Sequence, residues 1–363
     1  MTAVDALVLS GPRELERRSF ARPDIGEDDG ILRVEACGLC GTDHELWAGL
    51  LPSRYEFVPG HEIIGVVEEL GPVAEQRWGV RAGDRVAVEV FQRCGRCGPC
   101  VSGDYRWCEH HGLRDQIGNI DVQRSPGIWG GYATHLYLPP DSLLLPVPDG
   151  LDPVLATVFN PLGAGLRWTQ EVGQVGDGDV VAVLGPGMRG LCSAVAAKEA
   201  GAGFVLVTGA GERDRARLEL AREFGADLVV DVLEQDPRVA LKAATGGLAD
   251  VVVDVTANAP AAFPQGIGLA RPRGRMVVAG TRGPEAMVAI SPDRIVFKEL
   301  TIVGAVGVDA PAYERALAII ASGRYPFEAI DRQVADLDGT SELLGIMSGE
   351  GGGARPTHGV VVP

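Results

Sequence analysis

Residues 180–200 limit the fold more than any other stretch. The apolar run Val180-Val-Ala-Val-Leu184 leads straight into Gly185-Pro-Gly187-Met-Arg-Gly190 and then into a helical pattern reaching Ala200. An apolar run without alternation reads as a strand buried on both faces, as in parallel sheets. The first glycine permits a tight turn, the second lets the backbone approach a pyrophosphate, and the third allows close helix packing, while the helix N-terminus adds partial positive charge. Gly185, Gly187 and Gly190 are therefore candidate dinucleotide-binding residues. A plain glycine turn is the competing reading, and the strand before and helix after weigh against it.

The same rhythm continues downstream. A strand at 204–207, a helix ending near Gly225, and apolar runs at 228–230, 251–255, 275–279 and 301–303 make six strands in all. Strands alternating with helices predict an α/β, doubly wound parallel sheet of two mononucleotide-binding halves. An NAD-preferring site places Asp or Glu at the end of the second strand, but here that strand ends at Gly209. The stretch Ala210-Gly-Glu212-Arg213-Asp214-Arg215 reads as a loop whose two guanidinium groups, Arg213 and Arg215, suit a 2′-phosphate. The sequence favours NADP over NAD; Glu212 or Asp214 turning back onto the ribose is the reading that would restore NAD.

The first 150 residues differ. Short β-rich segments at 30–36, 63–70 and 85–90, separated by Gly, Pro and Asp turns, read as an all-β unit. After Gly307 come a helix at 312–323 and a strand-like tail at 359–362 able to rejoin that unit, while residues 348–356 read as a surface loop. A length of 363 residues fits two domains. With 33 Lys plus Arg against 49 Asp plus Glu, the formal charge is −16, which weighs against nucleic acid and anionic membranes as partners. No stretch approaches the roughly 18 uncharged apolar residues of a spanning helix, and the start lacks a signal-peptide pattern, so a cytoplasmic protein is expected.

Of seven cysteines, four crowd into Cys94-Gly-Arg-Cys97-Gly-Pro-Cys100 and Cys108. That spacing lets one loop fold four sulfurs around a tetrahedral zinc, and a fully closed shell is structural. Four unpaired thiols, an iron–sulfur cluster and a nucleic-acid zinc ribbon are weaker readings, the last opposed by the acidic charge. A second constellation lies upstream, where Glu35-Ala-Cys37-Gly-Leu-Cys40-Gly-Thr42-Asp43 and Pro59-Gly-His61-Glu62 place a thiol and an imidazole about twenty residues apart.

Taken in order, these motifs resemble the medium-chain, zinc-dependent alcohol and polyol dehydrogenases along nearly the whole chain. Trp129-Gly-Gly-Tyr132, Gly274–Gly280 and Gly304-Ala-Val-Gly307 also resemble that family's landmarks. The resemblance implies a GroES-like β-rich catalytic domain over 1–160 and 309–363, with a structural zinc lobe at about 94–108, and a Rossmann domain over 161–308. It implies an enzyme that interconverts an alcohol and a ketone or aldehyde by hydride transfer with NAD(P). Cys40 and His61 then match catalytic zinc ligands, Thr42 the hydroxyl that passes the substrate proton, Asp43 a carboxylate that orients the imidazole, and Glu62 a glutamate able to approach the metal. Cys37 becomes a bystander.

Two departures stand out. The family's third ligand is Cys, Glu or Asp, whereas the matching segment here is Val158-Phe-Asn160-Pro-Leu162; and Glu45, preceded by His44, occupies the place where many relatives end a proton relay at histidine. The zinc site then uses Glu62 with Cys40 and His61, or Asn160 directly or through water, or holds no zinc. A site without working zinc would fit a reductase of activated double bonds or a non-redox enzyme, and a third class is a nucleotide-binding protein without turnover. Trp47, Leu50, Leu51 and Trp129 read as packing or as an apolar substrate lining. The resemblance also implies a homodimer or homotetramer.

Overall fold

Valine- and isoleucine-rich runs broken by glycine turns build the first of two units into which the chain divides, Met1–Phe159 with Asp309–Ala321 and Asp331–Pro363. In this computed structural model residues 3–283, 285–350 and 355–363 are described. Strands β1 (Ala3–Gly11) and β2 (Glu14–Ala21) form an antiparallel hairpin. Then follow β3 (Gly30–Leu39), β4 (Glu62–Leu70), β5 (Arg85–Val88), β6 (His135–Leu138) and β7 (Leu144–Pro146). β3 pairs β4 antiparallel, and Gly38 stands opposite Glu62, so the end of β3 is aligned with the start of β4. Leu32, Val34, Ile63, Val67, Val86 and Leu136 turn inward to a shared apolar core.

The β-rich half is not purely strand. Seven-residue helices occupy Gly41–Trp47 and Pro72–Trp78. Both are too short to show a 3.6-residue period, and their boundaries are set locally, as by Pro72 in the first turn and Gly79 in the left-handed conformation (φ 68°) that stops the second helix.

Just beyond β5, Glu89 is fully buried, accepting from Tyr105 Oη at 2.6 Å and from the Phe91 N–H at 3.2 Å. Burial pushes its carboxyl up to about 8, against the pull of those two donors. A carboxyl near 4.5 when unfolded and about 8 when folded takes up a proton on folding between those values, so stability falls as pH rises across that range. Glu89→Gln keeps the shape without the charge. It is expected to match the wild type in urea denaturation at pH 5 and to exceed it at pH 8; parallel pH slopes for the two proteins would refute this.

The second unit, Asn160–Val308 with Ser322–Ile330, carries β8 (Val180–Leu184), β9 (Phe204–Gly209), β10 (Leu228–Asp231), β11 (Ala249–Asp254), β12 (Ala270–Val278) and β13 (Thr301–Gly304). All pair parallel in the order β10-β9-β8-β11-β12-β13, which reverses direction at β8 and β11 and so forms the two expected halves. Val181, Val183, Val252 and Val253 are wholly buried, the physical reason their strands show no polar alternation. One sequence expectation shifts. The stretch 210–215 is not all loop, because a helix begins at Glu212 and runs to Glu223, leaving only Ala210 and Gly211 as the link.

The chain then returns to the first unit. β14 (Arg332–Ala335) lies parallel to β15 (His358–Val361), and β15 pairs antiparallel with β3, so the tail completes the sheet β14-β15-β3-β4-β5-β7. Of the glycine-rich stretch read as a loop, Ser348 ends the helix Thr340–Ser348, and 351–354 lie outside the described residues. No helix among the described residues is long and apolar enough to cross a membrane.

Candidate metal centres and coenzyme site

The four lobe cysteines converge. The sulfurs of Cys94, Cys97, Cys100 and Cys108 all lie within 4.8 Å of one another, with Cys94–Cys100 at 3.7 Å and Cys97–Cys108 at 3.9 Å. Zinc–sulfur bonds of about 2.3 Å in a tetrahedron require sulfur separations of about 3.8 Å, so the lobe fits zinc. Backbone N–H groups prepare the thiolates. Against the opposing effect of burial, backbone groups of Cys94, His111 and His110 pull the Cys108 thiol down, while burial pushes Cys100 up. A dication is the counter-charge that lets all four ionise together.

The second constellation also assembles. Cys40 caps the helix Gly41–Trp47, and its N–H donates to Asp43 Oδ2 at 2.8 Å, fixing the turn between thiol and helix. His61 follows Gly60, whose φ of 91° is left-handed and where a Cβ would press on the Tyr132 ring and Cys37 Sγ. Glu62 opens β4 opposite Gly38, where a side chain would collide with its carboxylate. Cys40, His61 and Glu62 thereby bring ligand atoms within 4.8 Å of one another. Behind them, buried Asp43 faces His61 Nδ1 at 3.6 Å, leaving Nε2 for a metal.

Burial alone would lower His61, but the Asp43 carboxylate, Cys40 and Glu62 outweigh it and lift the imidazole to about 10. Those same negative groups suit a divalent cation, whose binding must displace the proton. Thr42, partly exposed, holds its hydroxyl 3.8 Å from Cys40 Sγ. Cys37 stays a thiol, pushed well up by burial and by the Asp43 charge, and its S–H points to the Gly38 carbonyl at 3.6 Å. Asn160 is buried on the helix Phe159–Leu166 and belongs to the second unit. Glu45 is buried, and Trp47 and Trp129 belong to the apolar core, whereas Leu50 is exposed.

The glycine turn has the form a pyrophosphate needs. Gly185 has φ 100°, the space beside Gly187 is open, and a side chain at Gly190 would collide with the Gly185 carbonyl. Gly187 caps the helix Met188–Glu199. At the end of β9, a Cβ on Gly209 would lie 3.0 Å from Pro186 Cγ and from Asp214 Cβ, so packing leaves little room for an acidic residue there. Arg213 and Arg215 stand in the first helical turn with side chains 68% and 63% exposed, Arg215 paired to Glu212 at 2.7 Å. The sequence did not single out Asp231, which accepts from the Gly211 N–H at 2.9 Å and so fixes this corner; its partner is twenty residues away, beyond any local pattern.

Comparisons with known proteins agree with this arrangement. Residues 26–149 match the family "Alcohol dehydrogenase GroES-like domain" and residues 190–322 the family "Zinc-binding dehydrogenase". "Probable alcohol dehydrogenase adh" of Mycobacterium tuberculosis (strain ATCC 25618 / H37Rv) is 59% identical over 361 residues, 99% of this chain and 98% of that protein. Erythritol/L-threitol dehydrogenase of Mycolicibacterium smegmatis is 32% identical over 90% of this chain and 89% of its own length. A crystal structure described as a zinc-binding dehydrogenase from Sinorhizobium meliloti 1021 bound to NADP superposes with a TM-score of 0.85 at 28% identity, covering 100% of both chains.

Proposed function

The chain belongs to the zinc-dependent medium-chain alcohol dehydrogenases, and from that premise we propose that it interconverts an alcohol and a ketone or aldehyde with NAD(P), using Cys40, His61 and Glu62 as the catalytic zinc ligands. The observation that carries this reading is the convergence of thiol, imidazole and carboxylate within 4.8 Å, with Asp43 behind the imidazole. Zinc, when bound, would supply Lewis acidity toward the substrate oxygen, and the nicotinamide would supply the hydride acceptor. Cys40 and Glu62 hold the cation with negative charge, while Asp43 fixes the ring so that its far nitrogen is the ligand. Thr42 relays the substrate proton, its hydroxyl accepting that proton as it releases its own toward solvent, a role supported by its partial exposure and its closeness to the ligand sulfur. Glu62 makes Asn160 unnecessary as a third ligand.

NADP is the proposed coenzyme. Gly209 leaves little room for the carboxylate that would repel a 2′-phosphate, and Arg213 and Arg215 are exposed at the adjoining helix start. The similar protein bound to NADP supports the same choice. The assembly proposed is a homodimer or homotetramer, since β13 is an edge strand flanked by exposed Val296, Phe297 and Val306.

The test is nicotinamide absorbance with a panel of primary, secondary and polyhydric alcohols. Oxidation is expected to favour NADP over NAD by about tenfold or more in kcat/KM. Arg213→Ala with Arg215→Ala is expected to remove most of that margin and leave NAD rates within about twofold. Turnover of enones but of no alcohol would overturn the reaction class, and an unchanged NADP margin in the double variant would overturn the coenzyme assignment.

A further inference from the structure

The helix that starts at Phe159 closes with a single π-helical turn, Arg167–Val172. Such turns hold one residue more than an α-turn and recur at functional sites. The Gly173 N–H reaches the Trp168 carbonyl at 2.9 Å, and glycine is needed there because a Cβ would collide with the Thr169 carbonyl. The turn is anchored on two sides, by Gln170 Nε2 donating to the Ala196 carbonyl at 2.8 Å and by Arg275 Nη1 donating to the Val172 carbonyl at 3.3 Å.

Two consecutive side chains of this turn reach the same backbone. Trp168 Nε1–H donates to the Gly307 carbonyl at 3.0 Å, and Arg167 Nη1 donates to the carbonyls of Val306 and Gly307, each at 3.3 Å. Gly307 has a left-handed φ of 65°, a conformation open to glycine without strain, and its carbonyl accepts from both side chains. The face of the same indole carries the Arg189 guanidinium, 5.2 Å from the ring centroid. Arg189 belongs to the motif Gly185-Pro-Gly187-Met-Arg-Gly190 as the second residue of the helix that Gly187 caps.

These contacts join two places that a dinucleotide must span. In an open parallel sheet the ligand lies outside the carboxyl ends of the strands, with its pyrophosphate at the first glycine turn and its two mononucleotides over the two halves. The glycine motif after β8 serves the first half, and the segment after β13 follows the last strand of the second half. Trp168 touches both. A carbonyl acceptor and a stacked arginine also accompany the core residue Trp129, so what sets Trp168 apart is that its two partners lie in different segments of the coenzyme-binding unit.

We propose that Arg167 and Trp168 are positioning residues for the coenzyme, fixing the segment 304–307 relative to the dinucleotide turn so that the nicotinamide half is held in the frame set by the pyrophosphate. The proposal rests on the coenzyme reading above and not on which alcohol is the substrate.

Calorimetric titration of the full-length, zinc-loaded protein tests it, with NADPH as one probe and 2′-phospho-ADP-ribose, which lacks the nicotinamide, as the other. Trp168→Phe keeps an aromatic face for Arg189 but removes the N–H donor. It is expected to weaken NADPH about five- to tenfold and leave 2′-phospho-ADP-ribose within about twofold. Arg167→Met should show the same asymmetry and serves if the tryptophan variant does not fold. Trp168→Leu, which also removes the surface under Arg189, should weaken both probes. Equal weakening of both probes by Trp168→Phe and by Arg167→Met, or weakening of neither, overturns the proposal. A wild type that binds NADPH but oxidises no alcohol would sink the activity alone and leave this comparison readable, whereas a wild type that binds neither probe would sink both.

Discussion

Replacing Cys40 by serine is expected to lower kcat/KM for alcohol oxidation by about a thousandfold, with zinc content falling from about two ions per chain to about one and NADPH affinity staying within about twofold of wild type. The serine hydroxyl keeps the size of the side chain but does not ionise near neutral pH, so the cation loses one of its anionic ligands and keeps His61 and Glu62. Binding of NADPH is spared because the glycine turn belongs to the other unit. Two companion variants separate the third ligand. Glu62→Gln is expected to lose zinc as Cys40→Ser does, and Asn160→Ala, which removes the candidate ligand atoms at that position, to leave the zinc count unchanged. Undiminished turnover in Cys40→Ser, or a fully active wild type with only the lobe zinc, would overturn the site.

Much of this architecture is legible from the sequence, for reasons that differ by element. β8 was readable to the residue because both faces are buried, and an uninterrupted apolar run has few other uses in a soluble chain. The cysteine lobe was readable because coordination geometry restricts spacing as well as residue type. The tail strand was visible as a strand, and its pairing with β3 needed coordinates. The π-helical turn left no local trace: its partners, Gly307 and Arg189, lie far along the chain, and one extra residue in a helical turn does not alter composition. Arg213 and Arg215 are legible as charges but not as members of a helical first turn, because the cap is Gly211, which reads equally as loop, and its support, Asp231, lies twenty residues on. The Cys40, His61 and Glu62 convergence lies between these cases. Resemblance suggests the residues, and the pairing of Gly38 with Glu62 explains why the carboxylate lies beside the thiol and the imidazole.

Replacing Cys97 by serine is expected to do more harm to the fold than any change at the catalytic centre. The lobe's apolar cluster consists of Val90, Phe91, Tyr105 and the cysteines Cys97, Cys100 and Cys108, so removing a sulfur removes both a ligand and part of a small core. A structural zinc contributes on the order of 10 kcal/mol to ordering its ligands, comparable to the net stability of a whole domain. Without it, the four crowded sulfurs protonate and lose their shared bonds to the metal, and the segment 94–108 loses most of what orders it. The damage spreads along defined bonds. Tyr105 Oη accepts from the Ala310 N–H at 2.6 Å and Arg106 reaches Asp309 at 3.5 Å, so the lobe holds the start of the helix Ala310–Ala321. Hydrogen exchange of Cys97→Ser is expected to show protection lost by about a hundredfold or more across 90–111 and, less strongly, across 309–313, while β8 and its neighbours in the second unit keep wild-type rates. The zinc count would fall to about one, as it does for Cys40→Ser, so the exchange pattern is what separates the two sites. Wild-type protection in the lobe of the zinc-depleted variant would show that packing, not metal, holds these residues in place.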